Sequence, residues 1–124
     1  MKETAICENH LYAKAYKSGK KYETRTVAVY ILPDRRASFL AKSHPEKIRI
    51  NRLGITVSKK FGKAFERNRA KRIIRHGYRE VTRKNNVRVG FLIVIVARSA
   101  AFGAKSTDIA KDIKKAFEKA DMFI

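Results

Sequence analysis

The sequence predicts an α+β fold: a small mixed sheet of about four strands packed with three helices, in the order α-β-β-β-α-β-α. Three observations carry this. Short runs of β-branched and aromatic residues recur at 26–32, 48–58 and 87–97. Apolar residues at helical spacing occupy 64–83 and the stretch from Ser106 onward. Apolar residues make up 44% of the 124-residue chain, enough for the modest core of one domain spanning 1–124.

The first helix is expected over 8–17, capped by Asn9 and ended by Gly19. Leu11, Tyr12, Ala15 and Tyr16 share one side of it. Residues 26–32 form a strand that stops at Pro33, with a short strand over 20–24 ahead of it. Both prolines, Pro33 and Pro45, fall in a polar stretch over 33–47 that reads as a flexible loop. In the next strand Leu53, Ile55 and Val57 alternate with Gly54, Thr56 and Ser58. Ile48 and Ile50 sit in the opposite phase, which predicts a bulge or break near Arg52. After the helix over 64–83, the run over 87–97 is apolar on both faces, as a central covered strand requires. The last helix starts at Ser106 or Thr107, with Asp108 favourably placed for the helix dipole. Its buried stripe is Ile109, Ile113, Ala116, Phe117 and Ala120.

Charge narrows the function. Thirty Lys and Arg face 11 Asp and Glu, a formal net charge of +19. Such a chain repels itself, and its natural partner is a polyanion, nucleic acid above all. Cys7 is the sole cysteine, so no intramolecular disulfide forms and a reducing compartment is expected. The best apolar run, over 91–97, is far too short to span a bilayer. The polar N-terminus carries no signal-peptide core, and the expected location is the cytoplasm.

The positive charge is localised. Residues 59–84 hold eleven Lys or Arg against Glu66 and Glu80, a net of +9. From Ser106 onward, by contrast, Lys111, Lys114, Lys115 and Lys119 balance Asp108, Asp112, Glu118 and Asp121. At about 100° per residue, Ala70, Ile73, Ile74, Gly77 and Val81 fall on one side of the basic helix. Asn68, Arg72, Arg75, Arg79 and Arg83 fall on the other, flanked by Arg67 and Lys71 on one edge and Arg69 on the opposite edge. Arginine suits this face because its planar fork grips phosphates bidentately and stacks on bases. Asn68 adds a donor and an acceptor for a base edge or a 2′-hydroxyl. A merely solvated helix face would mix both signs.

The stretch from Ser58 to Arg75 reads Ser-Lys-Lys-Phe-Gly-Lys-Ala-Phe-Glu-Arg-Asn-Arg-Ala-Lys-Arg-Ile-Ile-Arg. It strongly resembles the signature of the bacterial ribonuclease P protein subunit, S-K-K-x-G-x-A-x-x-R-N-R-x-K-R-x-x-R, and every specified position matches. Tyr12, Tyr16 and Gly19 fit the family's first helix, Tyr30 fits its first long strand, and Ala97-Arg98-Ser99-Ala100 is similar to the segment that closes its last strand. The resemblance implies a fold like the second domain of ribosomal protein S5, with a left-handed β-α-β crossover through the basic helix. It implies that Lys59, Lys60, Arg67, Asn68, Arg69, Lys71, Arg72 and Arg75 bind a catalytic RNA subunit. It further implies that the 5′ leader of precursor tRNA lies against Tyr12, Tyr16 and Tyr30. The hydrolysis would belong to the RNA, assisted by Mg²⁺, with no protein-bound cofactor and no catalytic side chain.

The remaining residues agree with a binding role. His10, His44 and His76 are scattered, without metal-ligand spacing to Cys7 or a carboxylate. No glycine-rich phosphate loop is present. The three tyrosines read either as caps on the core or as stacking platforms for a single strand. Phe61 and Phe65 read either as packing residues or as RNA-stacking ones, and the burial tendency of large apolar groups favours packing. The competing function classes are a structural ribosomal protein, which would follow ribosomal subunits at high salt, and a protein-only nuclease, which would cleave without RNA present.

Overall fold

The computed structural model of the chain describes residues 3–5, 9–33, 51–88 and 90–123. Residues 34–47 of the loop expected over 33–47, the phase change at Ile48 and Ile50, and Cys7 and His44 lie outside the described residues. The described strands are β1 (Glu3–Ala5), β2 (Lys20–Glu23), β3 (Val27–Pro33), β4 (Asn51–Thr56) and β5 (Phe91–Ala97). The helices are α1 (Asn9–Ser18), α2 (Ala64–Lys84) and α3 (Ser106–Lys119), with short 3-10 turns at Lys59–Phe61 and Ser99–Gly103.

The strands form one mixed sheet in the order β1-β4-β5-β3-β2. β2 and β5 both pair antiparallel with β3, whereas β4 pairs parallel with β5. A parallel pair of neighbours needs a crossover, and α2 supplies it. β1, absent from the expected order, adds a fifth strand parallel to β4 at the sheet edge. The β4–β5 register is continuous from Arg52–Leu92 to Thr56–Val96, so no bulge interrupts it there.

The pleat sends alternate residues to opposite faces. Val27, Val29, Ile31, Leu53, Ile93 and Ile95 share a core with Ile74, Tyr78, Val81, Ile109, Ile113 and Phe117 of α2 and α3. On the opposite face Leu92 and Val94 bury with Ala15 of α1, and Tyr12, Tyr30, Leu32 and Val96 pack around them. β5 is therefore apolar on both sides because both sides are covered. It begins at Phe91 rather than at residue 87: Gly90 takes a positive φ of 92°, and Val87 instead bridges to Phe123. Asn51, fully buried, holds this corner: its amide donates to the Arg88 carbonyl at 2.9 Å and its side-chain oxygen accepts from Phe91 N–H at 3.0 Å.

The inner face of α2 carries Ala70, Ile74, Gly77, Tyr78 and Val81. Ile73 is only partly buried, and Tyr78, absent from the expected stripe, is fully buried edge-on against Phe117 at 6.2 Å. Gly77 allows α2 and α3 to approach closely, since a Cβ there would lie 3.1 Å from Ala110 N and Ile109 Cγ2. The effect is to fix one side of α2 firmly and turn the other outward.

Candidate nucleic-acid interface

The outward side of α2 follows from its sequence phase. Asn68, Arg69, Arg72, Arg75, His76, Arg79 and Arg83 are exposed, and Lys59 and Lys60 are exposed in the 3-10 turn just ahead of the helix. Arg67 and Lys71 are half-buried, on the flank nearer the core. The Nε of Arg67 is shielded from solvent and has no hydrogen-bond partner among the described residues. The two acids of this region are both engaged locally. Glu66 accepts from Lys63 N–H at 3.2 Å, closing the first turn. Glu80 pairs with Lys84 at 2.7 Å and Arg83 at 2.8 Å; the hydrogen bond from Lys84, aided by the charge of Arg83, holds its carboxyl below the usual carboxylate range. No carboxylate among the described residues forms an ion pair with Arg69, Arg72 or Arg75. Three guanidinium groups on one helical face thus have no carboxylate partner among the described residues, an arrangement suited to an external anion.

The two phenylalanines of this segment part company. Phe61 packs, its ring 5.7 Å from that of Phe102 in the turn after β5, with Lys60 Nζ 5.2 Å from its centroid. Phe65 does not pack, contrary to the expectation for it: it is 70% exposed. It occupies the first turn of α2, on the side away from the sheet, where the core offers it no place.

Tyr12, Tyr16 and Tyr30 come together on the other face of the sheet. The Tyr12 ring lies directly over Gly54, where a Cβ would come within 2.6 Å of it. Any side chain at 54 would expel the ring, which explains a glycine inside a strand. Tyr16 stands edge-on to Tyr30 with ring centroids 5.0 Å apart, and its hydroxyl lies 3.2 Å from Thr56 Oγ1. Tyr12 and Tyr30 are half-buried against the Leu92–Val94 cluster, while Tyr16 is 43% exposed.

Sequence reasoning missed the charged rim of this aromatic site. Lys21 pairs across the β2–β3 ladder with Tyr30, and its Nζ lies 5.8 Å from the Tyr30 centroid. Glu23 sits 2.5 Å from Lys21 Nζ. This hydrogen bond raises the Lys21 pKa and lowers that of Glu23. Arg98 donates to the Thr24 carbonyl at 2.6 Å and approaches Glu23 at 3.7 Å. The signal was the antiparallel register, which aligns Lys21 with Tyr30 only once the hairpin is known. Among the described residues no group of three or more His, Cys, Asp or Glu is arranged to hold a metal ion. No described helix is long and apolar enough to cross a membrane.

Comparison with known proteins decides among the function classes. The family profile described as Ribonuclease P matches residues 1–121. The ribonuclease P protein component of Clostridium acetobutylicum is 36% identical over 124 residues, covering 100% of this chain and 94% of that protein. Its counterpart from Clostridioides difficile is 34% identical over 113 residues, covering 91% and 88%. The RNase P protein structure from Staphylococcus aureus superposes with a TM-score of 0.74 at 28% identity, over 99% of this chain and 100% of that one. The Thermotoga maritima RNase P protein, at 24% identity and a TM-score of 0.61, shares the fold over 84% of this chain and 86% of its own. The basic helix, the tyrosine cluster and the whole-length match lead to one conclusion: this chain belongs to the ribonuclease P protein family.

Proposed function

We propose that this chain, the protein subunit of the ribonuclease P endoribonuclease in tRNA processing, works through two separate RNA-binding surfaces. Lys59, Lys60, Arg67, Asn68, Arg69, Lys71, Arg72 and Arg75 hold the catalytic RNA subunit. Tyr12, Tyr16 and Tyr30 receive the single-stranded 5′ leader of precursor tRNA. The chain acts as one RNA-binding domain in the cytoplasm. The observation that carries the reading is that Arg69, Arg72 and Arg75 stand exposed on α2 with no carboxylate partner among the described residues.

The physical role is electrostatic and positional. Two RNAs that must meet for cleavage repel each other, and a cationic protein between them releases counterions and lowers that repulsion. The RNA performs the phosphodiester hydrolysis with Mg²⁺. The protein reduces the Mg²⁺ needed to bring substrate and ribozyme together, and supplies no reacting group.

Binding measurements on the full chain separate the surfaces. Arg69→Ala is expected to weaken binding to the cognate RNA subunit at low salt. Tyr12→Ala is expected to weaken holoenzyme affinity for precursor tRNA by about 1–3 kcal/mol if the ring stacks on a base. Mature tRNA, which lacks the leader, should be bound as before. Equal losses for precursor and mature tRNA would remove the leader from the tyrosine site.

A further inference from the structure

Of the large apolar side chains described, two stand well exposed: Tyr16 and Phe65. Tyr16 has a role in the aromatic cluster already described. Phe65, at 70% exposure, makes no ring contact with a described residue and joins neither core cluster. Its direction is set by helical phase. At about 100° per residue it lies within about 40° of Arg69, Arg72 and His76, and roughly 160° from the mean direction of the buried stripe. The fold does provide an aromatic seat four residues earlier, where Phe61 meets Phe102, and leaves Phe65 outside it.

An exposed aromatic on the same side of the helix as Arg69 and Arg72 faces a particular kind of partner. A second copy of this chain would bring like charge to the same place. An unpaired nucleotide offers both complements at once, a flat base for the ring and phosphates for the guanidinium groups. We infer that Phe65 is a stacking platform for an unpaired base of the catalytic RNA subunit, with Arg69 and Arg72 on the neighbouring phosphates. The inference rests on α2 being the surface for that RNA.

The test is a salt series of Kd for the full chain and its cognate RNA subunit. Phe65→Ala should weaken binding by about 5- to 150-fold, the range for losing one base–aromatic stack. The slope of log K against log salt should stay unchanged, since a neutral ring displaces no counterion. Phe65→Tyr should restore affinity and Phe65→Leu should not. The chain has no tryptophan, so Phe65→Trp introduces a sole indole, whose fluorescence should be quenched by the RNA. Full affinity in Phe65→Ala, with Arg69→Ala and Arg72→Ala both weakened, would overturn the inference and leave the helix reading intact. Full affinity in all three would overturn both. Recovery by Phe65→Leu, or a lowered melting temperature of Phe65→Ala alone, would make the residue structural and equally end the proposal.

Discussion

Thr26 and Asp112 are 86 positions apart, yet the buried Asp112 carboxylate accepts from Thr26 N–H at 3.0 Å and from its hydroxyl at 2.5 Å. The pair ties α3 to the start of β3. A buried acceptor so satisfied is expensive to disturb. Asp112→Ala leaves Thr26 N–H and hydroxyl without their acceptor and should destabilise the chain by about 1–3 kcal/mol in urea unfolding. The salt slope for RNA should remain as it was, because Asp112 lies away from α2's outer face. The contact between Gly54 and Tyr12 makes a functional prediction at the same scale. Gly54→Ala would displace the ring from the sheet. It should therefore reproduce the Tyr12→Ala loss of precursor tRNA affinity while leaving the catalytic RNA subunit bound normally, as measured by filter binding with each RNA.

At the scale of elements, α2 combines an apolar stripe that docks and a cationic face that does not. Each arginine on a phosphate contributes counterion release, so Arg72→Ala or Arg75→Ala should lower the log–log salt slope by about 0.7–0.9. An unchanged slope would mean that the residue touches no phosphate. Gly77→Ala tests the docked side. Alanine normally favours a helix interior by about 1 kcal/mol over glycine. Here its Cβ meets the α3 backbone at 3.1 Å, so the substitution should lower the midpoint of unfolding instead. The elements most legible in the sequence were those with strong local periodicity: α2, α3, β3 and the apolar β5. The misses were long-range. β1 is three residues whose only signal is parallel pairing with β4, some fifty positions away. Tyr78 lies at the edge of the helical stripe, and the tertiary fold buries it in the core, edge-on to Phe117. Asp112 reads as one charge in a balanced helix until the tertiary fold brings Thr26 to it. The motif at Ser58–Arg75 likewise marked the proposed RNA-binding residues but could not tell a packed Phe61 from an exposed Phe65.

For the molecule as a whole, the sheet is the divider. α2 and α3 cover one face, and α1 with the tyrosines covers the other. A chain of net charge +19 thus carries a cationic helix on one side of the sheet and an aromatic cluster on the other. Because α2 and the tyrosines lie on opposite faces of the sheet, Arg69→Ala and Tyr16→Ala should combine additively within about 0.5 kcal/mol in precursor tRNA binding by the assembled enzyme. The central claim is that this protein lets a catalytic RNA engage precursor tRNA when Mg²⁺ alone is insufficient. It is tested most directly by the rate of precursor tRNA cleavage at limiting Mg²⁺, with the cognate RNA subunit in the presence and absence of the chain. The account predicts faster cleavage with the chain than with RNA alone, and none from the chain by itself. A rate that the chain leaves unchanged across salt and Mg²⁺ concentrations would contradict it.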